Sequence, residues 1–132
     1  MVDSTTAPFR YEHNYDGDTI TGQVQVSFEG RLIGFGLDLS GALWLPIVVR
    51  VLGVDTEEMA SKSAKAKQAQ AFTEQWCRAG QAADGLIVLT AWKREKYGRL
   101  LAYVQRAETG EDLAERLIET GLGKSYSGGK RG

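Results

Sequence analysis

Charged side chains collect at the ends of apolar runs in four places: Asp16-Gly17-Asp18-Thr19, Arg50, Asp55-Thr56-Glu57-Glu58 and Lys96-Tyr97-Gly98-Arg99. Asp18 and Asp55 are hard oxygen ligands on separate segments, and they suit calcium, which takes carboxylates, backbone carbonyls and water. Arg50 and Arg99 are planar, permanently charged donors whose geometry matches a phosphate. Arg50 stands inside an apolar run, where a charge is costly without a partner or a ligand. A carboxylate such as Glu58 beside a metal could orient or deprotonate a water molecule. A metal, a base and two arginines together describe hydrolysis of a phosphodiester. Each part also has a plainer reading: Asp-Gly-Asp as a simple turn, Arg50 as a structural ion pair with Asp55 or Glu58, and Tyr97-Gly98-Arg99 as the start of a strand.

Composition narrows the remaining chemistry. The single cysteine, Cys77, and single histidine, His13, leave no disulfide framework and no multi-ligand Cys/His zinc site. They also leave no nucleophile–histidine pair unless His13 serves it. His13 alternates with apolar residues and reads as packed or surface-lying. Trp44, Trp76 and Trp92 read as core residues, and Cys77 as a small buried hydrophobe. A length of 132 residues is one ordinary domain, and 42% hydrophobic with 25% charged residues is a globular composition. The net charge of −1 excludes a uniformly basic nucleic-acid binder. The charge is nevertheless segregated: residues 1–61 carry nine acids and three bases, and residues 62–106 carry nine bases and three acids. That basic middle suits a local anion site.

Periodicity supplies the elements that must position these groups. Phe9, Tyr11 and His13 alternate with polar residues, as a half-buried strand would. Asp16-Gly17-Asp18 is turn chemistry, and Ile20, Gly22, Val24, Val26 and Phe28 resume a period of two. A third strand is expected over Leu43–Val54 after a glycine-bearing hairpin. Leu32–Val49 contains one charge, Asp38, but its glycines and Pro46 break it into two short runs, so a membrane span is rejected. Beyond Glu58, Ala69, Phe72, Trp76 and Ala79 mark one face of a helix that Ser61 or Ser63 caps and Gly80 ends. Leu86–Trp92 and Leu100–Val104 read as strands. A second helix with Leu113, Leu117 and Ile118 on its face starts at Thr109, with Asp112 in its first turn, and stops at Gly121. Three strands, a helix, two strands and a helix are the plan of an α+β, five-stranded OB-type barrel with a helix inserted after strand 3 and a second near the C-terminus. The domain is expected over residues 9–126, between flexible segments at 1–8 and 127–132.

In order and spacing, Asp16-Gly17-Asp18-Thr19, Arg50 through Asp55-Thr56-Glu57-Glu58, and Tyr97-Gly98-Arg99 make the chain resemble the staphylococcal nuclease (thermonuclease) family. Ile118-Glu119-Thr120-Gly121-Leu122-Gly123-Lys124 is similar to the end of that family's helix. The resemblance implies an OB barrel that hydrolyses DNA and RNA with calcium and leaves 3′-phosphate ends. It implies calcium bound by the carboxylates of Asp18 and Asp55 and the backbone carbonyl of Thr56, with Asp16 supporting the metal from behind. Glu58 would position or activate the water, Arg50 and Arg99 would stabilise the transition state, and Lys96 and Tyr97 would contact the terminal phosphate of the bound nucleotide. Tyr126 is a candidate for base stacking.

The chain also departs from the family pattern. Glu57 stands where the family has proline, and counting from Asp55 gives Glu58 the catalytic position. The hairpin at 29–41 is longer, and its Leu32, Ile33, Phe35, Leu37 and Leu39 are expected to extend the core rather than to form a partner surface. A monomer is expected, with nucleic acid as substrate and no membrane contact. No apolar segment precedes Pro8, so the expected location is intracellular, in a phage or mobile-element setting, or else secreted with the leader removed. The alternative to a nuclease is a catalytically silent barrel of this type that binds nucleic acid or a protein.

Overall fold

The computed structural model describes residues 5–32 and 36–126. The elements are β1 (Thr5–Asp16), β2 (Thr19–Leu32), β3 (Leu37–Val51), β4 (Gly53–Thr56), α1 (Ala64–Ala83), β5 (Leu86–Arg94), β6 (Leu100–Arg106), α2 (Leu113–Glu119) and β7 (Gly123–Tyr126), with a 3-10 turn at Met59–Ser61. Strands β1, β2, β3, β6 and β5 close into a barrel in that order. Neighbours are antiparallel except β3 and β6, which run parallel over Val49–Val51. This is the expected α+β OB-type barrel, with α1 following the third barrel strand. Residues 5–8 already pair with β5, so the domain begins before the expected boundary at Phe9. Residues 127–132, expected as a tail, lie outside the described residues.

The third strand ends earlier than its unbroken apolar run predicts. Leu52 N–H donates to the Ala102 carbonyl at 2.8 Å, and Gly53 then adopts φ +91°, a conformation that strains residues with a side chain. The chain leaves the barrel there, and Gly53–Thr56 pairs instead with β7 as a separate two-stranded ribbon. That departure carries Asp55 through Glu58 out of the wall and over the end of the barrel.

Alternate barrel residues build the core: Phe9 and Tyr11, Ile20 and Val24, Val49 and Val51, Val88, Val104, with Trp76 and Cys77 of α1 and Leu113 and Leu117 of α2 against them. Burying each such side chain contributes about 1.5–3 kcal/mol. Burial also pushes the Cys77 thiol well above its ordinary range, which keeps it protonated and unreactive. Of the two readings left open for His13 the surface one holds, and two of the tryptophans leave the expected core. An extra residue between Tyr11 and His13 shifts the register of β1, so His13 is exposed and Asn14 turns inward. There Asn14 Nδ2 donates to the carbonyls of Asp16 and Gln70, each at 3.1 Å. Of the tryptophans only Trp76 is buried; Trp44 is half-buried beneath Arg10, and Trp92 is exposed.

Helix α1 is capped by Ser63, whose Oγ accepts from Ala66 N–H at 3.0 Å. It does not end at Gly80. A Cβ there would lie 2.7 Å from Arg106 Cδ, so that glycine permits close packing. The helix stops instead near Gly85, at φ +91°. Ala79, expected on the inner face, is exposed, and Thr73 and Cys77 take the face instead. In α2 the cap is Asp112 rather than Thr109, with Oδ2 accepting from Glu115 N–H at 3.2 Å, and Ile118 is exposed. No described helix is long and apolar enough to cross a membrane.

The long hairpin is a further correction. Strands β2 and β3 stay paired out to Leu32 and Leu37, and Leu37 and Leu39 are exposed rather than packed in the core. The side chains of Leu32, Ile33 and Phe35 lie outside the described residues.

Candidate active site

The turn between β1 and β2 is fastened to helix α1. Thr73 Oγ1 donates to the Gly17 carbonyl at 2.6 Å, and a Cβ on Gly17 would lie 2.9 Å from Ala69 Cβ. Only glycine lets the turn approach this closely. The two flanking aspartates then reach toward the segment after β4. Asp16 Oδ1 accepts from Met59 N–H at 2.7 Å. Asp18 Oδ2 accepts from Thr56 N–H at 3.0 Å, and its Oδ1 accepts from Thr19 Oγ1 at 3.2 Å. Two of the four sequence clusters thus become one structure, held by bonds from backbone N–H groups to carboxylate oxygens.

Arg50 joins them. Its side chain is buried, and Nη1 donates to the carbonyls of Val51 and Val54 at 2.6 and 2.9 Å. Nη2 lies 3.2 Å from Asp55 Oδ1 and 3.5 Å from Asp18 Oδ2. The ion-pair reading of Arg50 therefore holds for Asp55 and extends to Asp18. A cationic nitrogen already sits between the two carboxylates proposed to share a metal, so that point suits positive charge. Among the described residues no three acidic, histidine or cysteine side chains gather as a metal cage. The donor set is two carboxylates beside the Thr56 backbone. It fits a hard cation whose remaining ligands are water, and it does not fit zinc or another metal that needs nitrogen or sulfur.

Arg99 approaches from β6. Its Nη1 donates to Thr19 Oγ1 at 3.3 Å, and Nη2 to Glu95 Oε2 at 3.0 Å. The Glu95 carboxylate, with Asp18 and Asp16 beyond it, raises the Arg99 pKa. In return the Arg99 guanidinium holds Glu95 down to about 2 from an ordinary 4.5. A depressed carboxylate stabilises the fold fully above its unfolded pKa and loses that contribution as pH falls through the folded one. The Glu95→Gln variant is therefore expected to show a shallower loss of stability between pH 4.5 and 2 than the parent. Denaturant midpoints taken across that window would reveal it, and parallel slopes would refute it.

Lys96 and Tyr97 stand further out, both exposed, with the ammonium 5.1 Å from the phenol ring centre. The Tyr126 backbone pairs with Gly53, and its side chain lies outside the described residues. Glu57 and Glu58 are both exposed and both line an open cavity of about 500 Å³, together with Asp55, Ser61, Lys65 and Lys124. Glu57 Oε1 accepts from Ser63 Oγ at 2.8 Å, which ties it to the start of α1. The Glu58 carboxylate has no hydrogen-bond or ion-pair partner among the described residues.

Three residues were not singled out from the sequence. Glu95, the partner of Arg99, carries a signal there, since acid and arginine are four residues apart. Lys124 lies directly across from Asp55 in the β4–β7 ribbon, a pairing that only the fold reveals. Lys65, the second residue of α1, faces the cavity with no local pattern to mark it.

The model of the family described as staphylococcal nuclease homologue matches residues 48–131. Arg50, Asp55–Glu58 and Lys96–Arg99 fall inside that span, and the Asp16–Thr19 turn falls outside it. No curated protein matches the chain.

Proposed function

We propose that this chain, which belongs to the staphylococcal nuclease homologue family, is a calcium-dependent nuclease that hydrolyses DNA, and RNA as well, to 3′-phosphate ends. The observation that carries the reading is one convergence. Carboxylates from the β1–β2 turn and from β4 meet at a buried guanidinium, at the edge of an open cavity that Glu58, without a side-chain partner among the described residues, also lines. In this reading Asp18, Asp55 and the Thr56 carbonyl hold calcium, and Asp16 supports them by bonding to the Met59 backbone. Bound calcium supplies charge that polarises the phosphoryl oxygens. Glu58 orients the attacking water and takes its proton. As the new P–O bond forms, the bond to the 5′ oxygen breaks, and that oxygen takes a proton from solvent, leaving a 5′-hydroxyl and a 3′-phosphate. Arg50 and Arg99 are already fixed by their own partners, so they stabilise the developing negative charge with little rearrangement. Lys96 and Tyr97 take the terminal phosphate from the exposed side.

Digestion of single- and double-stranded DNA and of RNA tests this, with calcium or chelator and with the 3′ ends probed by polymerase extension before and after phosphatase. Calcium-dependent cleavage into fragments that extend only after phosphatase is the expected result. Chelator should leave the circular dichroism spectrum unchanged, because the carboxylates lie at the rim of the barrel. Absence of cleavage by a folded barrel that still binds DNA would favour a silent binding module. The internal bonds of Arg50 are the observation on that side.

A further inference from the structure

We infer that the β2–β3 ribbon is a homodimer interface, in which two copies pair their β3 strands antiparallel about a two-fold axis at Gly41. Strand β2 is paired with β1 only as far as Val24, and β3 with β6 only over Val49–Val51. The length from Gln25 to Trp44 is thus two strands with no third beside them among the described residues. A two-stranded ribbon is marginal in water unless something covers it. Natural edge strands normally carry a charge or a proline against unwanted pairing; here Asp38 and Pro46 stand only at the two ends of the uncharged stretch Leu39 through Leu45.

The occupant follows from the sequence of that edge. Leu37, Leu39, Gly41, Leu43 and Leu45 alternate along β3 and so share one face. The four leucines are 41–54% exposed, although apolar residues at alternate strand positions ordinarily face a core. The series reads the same in both directions about Gly41. Antiparallel pairing with a second β3 centred there sets Leu39 opposite Leu43 and Leu37 opposite Leu45, on both sides of the axis. Cross-strand apolar pairs are the unit of sheet stabilisation, and a two-fold interface requires this self-complementarity. On the opposite face the register sets Asp38 of one copy across from Trp44 of the other. The Trp44 ring carries the Arg10 guanidinium 3.8 Å from its centre, so the charges are complementary.

A second observation fits the same register. At the foot of the ribbon the barrel mouth holds a mainly apolar cavity of about 440 Å³, lined by Val24, Val26, Leu45, Ile47 and Trp92, with Arg94 as its one charged side chain. Trp92 reaches it from an irregularity in β5, where pairing with β6 slips between Thr90 and Arg94. Its backbone stands at φ +58°, an unfavourable conformation for an aromatic residue. Bulges of this kind re-aim side chains. Because Leu37 of the second copy falls opposite Leu45, the Leu37 end of each β3 arrives at the mouth of the other barrel. The expectation of a monomer gives way, in this proposal, to a dimer whose ribbons cap each other's mouths.

Sedimentation equilibrium on the full chain tests it, together with cysteine crosslinking. A species of twice 14.4 kDa is expected, and Leu43→Asp should return it to monomer with the barrel's circular dichroism intact. Directly opposed residues in an antiparallel pair lie about 4.5–5.5 Å apart at Cα, within disulfide reach. Gly41→Cys should therefore crosslink to itself under mild oxidation. Leu37→Cys should not, since the two copies of residue 37 would be about 26 Å apart along the strands. A dissociation constant weaker than about 0.1 mM would overturn the proposal. So would a dimer that survives Leu43→Asp, or one that crosslinks as readily through residue 37 as through residue 41. An apolar peptide or lipid held in the mouth by an otherwise monomeric chain would appear as the first of these outcomes.

Discussion

Glu58→Ala should lower DNA cleavage by about three orders of magnitude, the middle of the range for removing a positioned proton-transfer group, while Glu57→Ala stays within about threefold of the parent. The two glutamates are adjacent, both exposed, and both line the same cavity, so exposure and charge do not separate them. Their partners do. Glu57 accepts from Ser63 Oγ, and Ser63 in turn accepts from Ala66 N–H at the start of α1. Its carboxylate is committed to a helix terminus, where negative charge is favourable, and a group held there is badly placed to carry a proton away. Glu58 has no such engagement among the described residues. Its carbonyl accepts from Ser61 N–H and Oγ, which fixes its backbone while leaving the carboxylate to face solvent. Glu57→Ala should instead show a small loss of stability from the weakened cap. Single-turnover rates on a labelled oligonucleotide, with circular dichroism of each variant, decide the matter. Equal losses of activity would show that the two carboxylates act together and that Glu58 has been wrongly singled out.

The residues that bear on chemistry were legible because their signals are local. An Asp-Gly-Asp turn, an arginine in an apolar strand and acids just past that strand are each visible within a few residues, and the barrel's alternation is visible within ten. What stayed hidden depends on what lies opposite. The apolar run through Val54 looks like one strand, and only the pairing of Gly53–Thr56 with a segment seventy residues later breaks it. Leu37, Leu39 and Leu43 alternate as core residues do, yet no described element covers them. A sequence shows which face is apolar and does not show what packs on it. A one-residue register shift after Tyr11 puts Asn14 rather than His13 inward, and a second shift between Asn14 and Asp16 follows at once. Trp92 was misplaced for a similar reason, since irregular pairing in β5 turned toward solvent a ring that composition alone assigns to the core.

Arg50→Leu is expected to destabilise the fold by about 3–5 kcal/mol, the usual consequence of removing one partner from a buried ion pair. The guanidinium fills space as well as charge. Losing it leaves the carbonyls of Val51 and Val54 without their donor, and leaves Asp18, nearly buried at 8% side-chain exposure, facing Asp55 without the intervening cation. Arg50→Lys keeps the charge and should be milder, but a single ammonium cannot reproduce the planar arrangement that reaches two carbonyls and two carboxylates. If stranded negative charge is the cause, Asp18→Asn or Asp55→Asn added to Arg50→Leu should recover part of the loss, a coupling that a double-mutant cycle reads directly. The same reasoning separates structure from metal binding. A cation that binds only the folded chain stabilises it in proportion to the logarithm of its concentration over Kd. Calcium should therefore raise the Tm of Arg50→Leu by more than that of the parent, because in the variant it enters between the carboxylates without a competing guanidinium. A Tm indifferent to calcium in both proteins would mean that Asp18 and Asp55 serve Arg50 alone.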